Sequence, residues 1–248
     1  GREHILYSRH CIDLNLLKSN IACGKTVILN NNLRPIKKSC GVGRGLRTKI
    51  NANIGVSSDK NSIKEELEKL KVSQKYGADT AMDLSVAGDI GKIRKTILRE
   101  SAIPIGTVPV YEAAVFAAKM KKSFLHMDAD DMLAVIEKQA QDGVDFMTIH
   151  CGVTLSTIKK IKDSKRLLGI VSRGGAILAS WMKHNKKENP FFTNYDKILQ
   201  IAYKYDVTLS LGDGLRPGSI CDATDKAQIA ELKLLGNLAR RGREKKVQ

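Results

Sequence analysis

Residues 49–85 read KINANIGVSSDKNSIKEELEKLKVSQKYGADTAMDLS, and this stretch decides the fold. Residues 49–54 are a short strand-like run closed by Gly55. Ser62-Ile63-Lys64-Glu65 then has the form of a capping box, in which a serine hydroxyl and a glutamate at the third helical position satisfy free N–H groups. Ile63, Leu67 and Leu70 recur at helical spacing up to Gly77, a residue suited to ending a helix. A second strand-like run follows at 80–84. Strand, helix and parallel strand in this order form a βαβ unit.

Working outward, the same alternation recurs. Six strands are expected, at 49–54, 80–84, 104–108, 146–150, 169–172 and 208–211, each short and rich in Val, Ile, Thr or Leu. Further helices are expected at 131–141, 176–184, 195–205 and 223–241, with Gly143 ending the first of them. Each strand closes on a polar or turn-forming cluster. These are Asn51 to Gly55, Met82 to Ser85, Gly106 to Tyr111, Thr148 to Gly152, Ser172 to Gly175 and Leu211 to Gly218. In a (β/α) barrel all such clusters converge on one rim, whereas a doubly wound sheet concentrates its ligand site at one switch point. The expected fold is therefore α/β, a (β/α)8 TIM-like barrel, incomplete here with about six βα units of eight. Residues 1–46 are expected to be a small N-terminal segment and 47–248 a partial barrel that binds substrate.

Composition narrows the function classes. The chain has 248 residues, 42% hydrophobic and 27% charged, with 20 Gly and 5 Pro, enough to bury a sizeable core. Apolar runs fall far short of the ~20 residues that span a bilayer. Residues 1–10 carry Arg2, Glu3 and Arg9 and lack the pattern of a secretory signal, so a cytoplasmic location is expected. Cys11, Cys23, Cys40, Cys151 and Cys221 are scattered with no C-x-x-C pair, which argues for reduced thiols rather than a disulfide framework or a self-contained metal site. The net charge of +16 raises nucleic-acid binding as a question. Most of it sits at the ends: residues 1–50 hold ten Lys/Arg against Glu3 and Asp13, and residues 236–248 hold five against Glu244. With aromatics at 5% and no stacking pattern, no nucleic-acid partner is expected.

Several motifs could carry chemistry. Ser172-Arg173-Gly174-Gly175 opens a helix with glycines that allow close approach to backbone N–H groups, the physics of a phosphate cradle; a strand-to-helix turn also uses glycine for geometry alone. Asp213 and Arg216 stand three apart on a glycine turn, able to face one polar ligand or to pair with each other. His150 at a strand end suits acid–base work or phosphate contact, or is a satisfied polar residue. Asn51 and Asn53 share one face of a strand, where asparagine is otherwise depleted. Met82 lines either a pocket or the core. Cys40-Gly41-Val42-Gly43-Arg44-Gly45 looks like part of a dinucleotide fingerprint but precedes its strand instead of following it. His4, His10, His126 and His184 lack ligand spacing and read as surface residues.

Taken together these segments resemble the phosphomethylpyrimidine synthase (ThiC) family of thiamine biosynthesis. The likeness rests on KINANIG at 49–55, GADTAMDLS at 77–85, PIGTVPVY at 104–111, the His150 segment, 169–175, and SLGDGLRPGSI at 210–220, in order over roughly residues 30–248. What the resemblance implies is radical chemistry: S-adenosylmethionine is cleaved at a 4Fe-4S cluster, and 5-aminoimidazole ribonucleotide becomes 4-amino-5-hydroxymethyl-2-methylpyrimidine phosphate. It also implies a divalent metal, zinc or iron. The family's substrate contacts match Asn53, Met82, Tyr111, His150, Ser172, Arg173, Gly174, Asp213 and Arg216. By the same resemblance, phosphate falls to the 172–174 turn with Tyr111 and His150, ribose to Asp213 and Arg216, and the heterocycle to Asn53.

The departures matter as much. The family's metal histidines, a substrate glutamate and a Cys-x2-Cys-x4-Cys cluster motif follow beyond the point where this chain stops, so no metal ligand is expected within it. A chain truncated in this way is expected to be inactive alone and to work with a second copy or with a missing C-terminal half. The alternative is a non-catalytic phosphate-ligand-binding barrel fragment acting with a partner chain. An unrelated aldolase-like phosphate barrel lacks a Schiff-base lysine at a strand end.

Overall fold

Short strands alternating with helices build the computed structural model, which describes residues 13–120 and 123–248. Cys11, His4, His10 and the stretch 1–10 lie outside the described residues. The helices are α1 (Leu14–Ala22), α2 (Ile63–Lys75), α3 (Ile90–Glu100), α4 (Pro109–Lys119), α5 (Ala129–Gln141), α6 (Leu155–Ser164), α7 (Arg173–Asn185), α8 (Pro190–Thr193), α9 (Tyr195–Tyr205) and α10 (Lys226–Glu244). The strands are β1 (Thr26–Leu29), β2 (Cys40–Gly43), β3 (Asn51–Ile54), β4 (Thr80–Asp83), β5 (Ile105–Thr107), β6 (Phe146–Ile149) and β7 (Thr208–Leu211).

Strands β3 to β7 form one parallel sheet in sequential order. α2 starts as its capping motif requires, with the Glu65 N–H donating to Ser62 Oγ at 3.3 Å, and ends before Gly77 at φ +87°. Gly143, at φ +95°, ends α5 in the same way. The glycine conformations release the chain into the next strand without a Cβ penalty.

Register separates the two faces of the sheet. One face presents Ile54, Ala81, Ile105, Met147 and Ile149, all buried against the helices. Burying each Ile or Met side chain here contributes about 1.5–3 kcal/mol. The opposite face carries Asn51, Asn53, Thr148 and Ser210, of which only Thr148 is even half-buried. These polar positions are what the interior rim of a barrel would need, while Met82 and buried Phe146, on the same face, pack with Leu29 and Cys40 of the hairpin. Among the described residues, however, the sheet is open and not closed on itself.

The strand expected at 169–172 does not form, so five parallel strands replace the expected six. Gly169 is left-handed at φ +55°, which a strand cannot accommodate. The backbone around it is held by side chains instead of a ladder: Asp222 accepts from Leu167 N (2.8 Å) and Leu168 N (3.1 Å), and Arg166 Nη1 donates to Gly169 O (3.1 Å). β7 takes the place beside β6.

The Cys40–Gly45 run is no nucleotide loop. Residues 40–43 form β2, which pairs antiparallel with β1, and a Cβ on Gly43 would lie 2.7 Å from Thr26 Cα. This hairpin segment seals the end of the sheet where strands begin. Asn31 Nδ2 donates to Ala140 O and Val144 O at 2.9 Å each, Arg34 pairs with buried Asp145, and Arg34 Nη2 donates to Ser101 O at 2.9 Å. Among the described residues no helix is long and apolar enough to cross a membrane.

Candidate functional site

The opposite end, where strands finish, gathers most of the residues singled out by sequence. His150 follows β6 directly, and its ring is wedged between two glycines. A Cβ on Gly174 would lie 2.4 Å from His150 Cε1, and one on Gly212 would lie 3.2 Å from Nε2. Position 174 is therefore closed to any side chain while the ring stays in place, and a Cβ at 212 would also crowd Thr148 Cγ2 at 2.8 Å. Asn189 fixes the backbone behind it, with Nδ2 donating to His150 O and Val153 O at 2.8 Å each. The ring is 4% exposed and Nδ1 has no partner among the described residues. Burial, aided by the Arg216 charge, pushes its pKa down to about 4. His150 is therefore a neutral imidazole near pH 7, able to donate from one nitrogen and accept at the other.

Ser172, expected to end a strand, instead caps α7 by accepting from Gly175 N at 3.2 Å, and the helix starts at Arg173 ahead of the expected 176. The first turn of this helix directs unsatisfied N–H groups and a partial positive charge toward the rim. Arg173 extends from that turn, with its guanidinium carbon 5.3 Å from the centroid of the Tyr111 ring. Tyr111 lies in the first turn of α4, which Pro109 initiates. Behind it, fully buried Arg94 pairs with Glu112 and Asp142 at 2.6 Å each, and Gln139 Nε2 donates to Glu112 at 2.6 Å. That network holds α3, α4 and α5 in register beneath the tyrosine.

The loop after β7 closes the arrangement. A Cβ on Gly175 would lie 2.3 Å from Gly214 O, so the α7 N-terminus and this loop are in direct contact. Asp213 and Arg216 are both exposed and pair with each other at 3.5 Å, the self-satisfying geometry that the sequence allowed. Tyr111, Arg173, Gly174, His150, Gly212, Asp213 and Arg216 are thus one connected cluster. Asn53 and Met82 are not part of it. They pair side by side in the sheet, with Asn51 Nδ2 donating to Asn53 Oδ1 at 3.0 Å. β3 stands three strand spacings from β6, about 14 Å along the sheet.

Three positions in this region carry no motif: Asn189, Arg166 and Glu231. Glu231 had a signal, because α10 buries Ala227, Glu231, Leu235, Leu238 and Gly242 at helical spacing, and a carboxylate on an apolar stripe needs a partner. The cysteines do not join the site as a group. Cys23 follows α1, Cys40 is on β2, Cys221 is in a 3-10 turn, and buried Cys151 has its thiol pushed up to about 12. Among the described residues no three His, Cys, Asp or Glu side chains are grouped as a metal site requires. A groove of about 1310 Å³ lies away from the rim, between the β1–β2 hairpin, β7 and the end of α10; it is lined by Tyr195, whose hydroxyl burial holds above its ordinary range, and not by His150 or Glu231.

Comparison with known proteins bears on this geometry. A family model described as the radical SAM ThiC family matches residues 4–248. A phosphomethylpyrimidine synthase of Moorella thermoacetica is 50% identical over 241 residues, covering 97% of this chain and 56% of the relative. One from Thermodesulfovibrio yellowstonii is 54% identical over 222 residues, 90% of this chain and 52% of the relative. One from Thermococcus kodakarensis is 51% identical over 240 residues, 97% and 56% respectively. The chain spans about half the length of the curated relatives it matches.

Proposed function

Because this chain belongs to the radical SAM ThiC family, we propose that it supplies the substrate-binding rim of a phosphomethylpyrimidine synthase of thiamine biosynthesis. The substrate on this reading is 5-aminoimidazole ribonucleotide and the product 4-amino-5-hydroxymethyl-2-methylpyrimidine phosphate. Its phosphate binds at the 172–174 turn, where helix N–H groups, the Arg173 guanidinium and the neutral His150 imidazole converge. Tyr111 backs Arg173 through its ring face. Asp213 and Arg216 open their mutual ion pair to take the ribose side, and Asn53 and Met82 receive the heterocycle across the polar sheet face. The observation that carries this reading is the connected cluster from Tyr111 through His150 to Arg216.

The family implies S-adenosylmethionine and an iron–sulfur cluster, which supply a radical when bound. The donors present do not fit a cluster: the described cysteines sit in separate elements, and Cys151 is a buried, protonated thiol. Nor do they fit the zinc or iron that the resemblance adds, since among the described residues no three His, Cys, Asp or Glu side chains are grouped. In the complete protein we read the five strands as part of a (β/α)8 barrel, with 1–46 as an N-terminal segment and 47–248 as substrate domain. A cytoplasmic location, no nucleic-acid partner, and either a homodimer or a C-terminal half completing the site belong to the same reading.

Calorimetry of aminoimidazole ribonucleotide binding tests it. Binding is expected, and Arg216→Ala should weaken it by about 1.5–3 kcal/mol, the worth of a charge-assisted hydrogen bond. An unchanged affinity removes Arg216 from the site, and no binding by the full-length protein removes the substrate.

A further inference from the structure

The 212–216 loop has exposed ends and a buried support. Asp213 and Arg216 face outward and bond only each other, so nothing in their own side chains fixes the loop to the body of the protein. The support comes from α10. Glu231, 1% exposed, accepts from Gly214 N at 2.9 Å through Oε1 and from Leu215 N at 2.8 Å through Oε2. From the other side Arg166 donates to Leu215 O, itself anchored on Asp225. A Cβ on Gly214 would lie 2.1 Å from Val153 Cγ2, so the loop has no slack toward α6.

We propose that Glu231, as a carboxylate, is the positioning residue of this rim: by holding two consecutive N–H groups it sets where Asp213 and Arg216 stand, without touching substrate. The chemistry is specific to the ionised form. Two N–H donors aimed at two oxygens match a carboxylate, whereas an amide or a protonated acid offers one good acceptor and leaves the other donor facing a hydrogen. The charged and titratable groups that bear on Glu231 are Asp213 from the loop, Arg166 from the α6–α7 connection and the Cys151 thiol after β6. Burial outweighs the two N–H bonds and lifts its pKa to about 7, so the switch between holding and releasing falls in the neutral range. That Asp213 and Arg216 meet a ribonucleotide rests on the function proposed above; that Glu231 sets their loop does not.

Two measurements on the full-length protein separate these claims. In hydrogen exchange read by mass spectrometry, Glu231→Gln should speed exchange of the peptide over 212–217 about tenfold at pH 8, with a smaller difference at pH 6, while the β6 peptide stays protected and reports an intact fold. Calorimetry with aminoimidazole ribonucleotide should show an affinity about tenfold weaker in Glu231→Gln at pH 8 and close to wild type at pH 6. Ionisation of the ligand phosphate cancels in that ratio. Glu231→Asp, which keeps a carboxylate, should keep the pH dependence. Unchanged exchange over 212–217 at pH 8, or an affinity ratio independent of pH, overturns the proposal. If the wild type does not bind the ribonucleotide, the functional reading fails and the exchange result alone decides the role of Glu231.

Discussion

His150 is confined by glycines on both sides, and its protonation is governed by that confinement. Its pKa falls from 6.5 to about 4, chiefly because burial disfavours the imidazolium and secondarily because Arg216 repels it. Between these values the unfolded chain binds the extra proton and the folded chain does not, so stability rises with pH across the window and is lost on acidification through it. A shift of this size is worth about 3 kcal/mol. Urea unfolding at pH 4.5 and pH 7 should therefore show a steeper loss on acidification in wild type than in His150→Gln, and equal losses would contradict the burial argument. Asp145 and Glu231, with pKa values raised to about 6 and about 7, act with the opposite sign, but they are common to both proteins and cancel in the comparison.

At the level of elements, α3, α4 and α5 are joined by polar contacts as much as by their apolar faces. Arg94 emerges from α3 among Ile93, Ile97 and Leu98 and reaches Glu112 on α4 and Asp142 after α5. Thr107 Oγ1 on β5 donates to Gln139 Oε1 at 2.6 Å and ties the network to the sheet. A buried ion network of this kind need not exceed an apolar core in stability, but removing its buried cation leaves Glu112 without a counter-charge and Asp142 with only the exposed Lys95 and Lys138. Arg94→Ala should cost about 3–5 kcal/mol by chemical denaturation. A loss below about 1 kcal/mol would mean that the carboxylates find water, and that the network is a surface feature. Tyr111 stands on the first turn of α4, so the same variant should also disturb the cation–π contact with Arg173.

Across the whole molecule, the two basic ends of the sequence meet. Lys25 and Arg44 from the N-terminal hairpin region and Arg243 and Lys246 from the end of α10 line one groove, with the Arg243 side chain 3.3 Å from where a Cβ on Gly24 would be. A concentrated positive field attracts polyanions without specificity. Among the described residues the groove wall offers buried Tyr195 but no exposed ring on which a base could stack. Filter retention should show weak binding of random RNA that disappears near physiological salt. Submicromolar, salt-resistant binding would make this groove a nucleic-acid site.

The sequence by itself determined the elements whose cause is local. Ser62 caps the helix its motif marks, α9 runs from Tyr195 to Tyr205 as expected, and β3 to β7 fall within or at the expected short runs that precede polar turns. Asn51 and Asn53 share a face because strand side chains alternate. The convergence of His150 and Asp213 on one rim was legible because parallel strands bring their C-terminal ends to one side, whereas Ser172 reaches it from the start of α7 and not from a strand. Tertiary structure decided the rest. Residues 169–172 looked like a strand, yet Asp222, more than fifty positions away, takes the N–H groups of Leu167 and Leu168 just before them, and Gly169 turns left-handed. The glycine run at 40–45 became a hairpin strand because Thr26 packs where a side chain would be. The partners that Glu231, Asn189 and Arg34 hold across the fold lie 16 to 111 positions away. Periodicity reports which face of an element is apolar; which polar group waits opposite a buried charge is set only when distant segments pack and water is excluded between them.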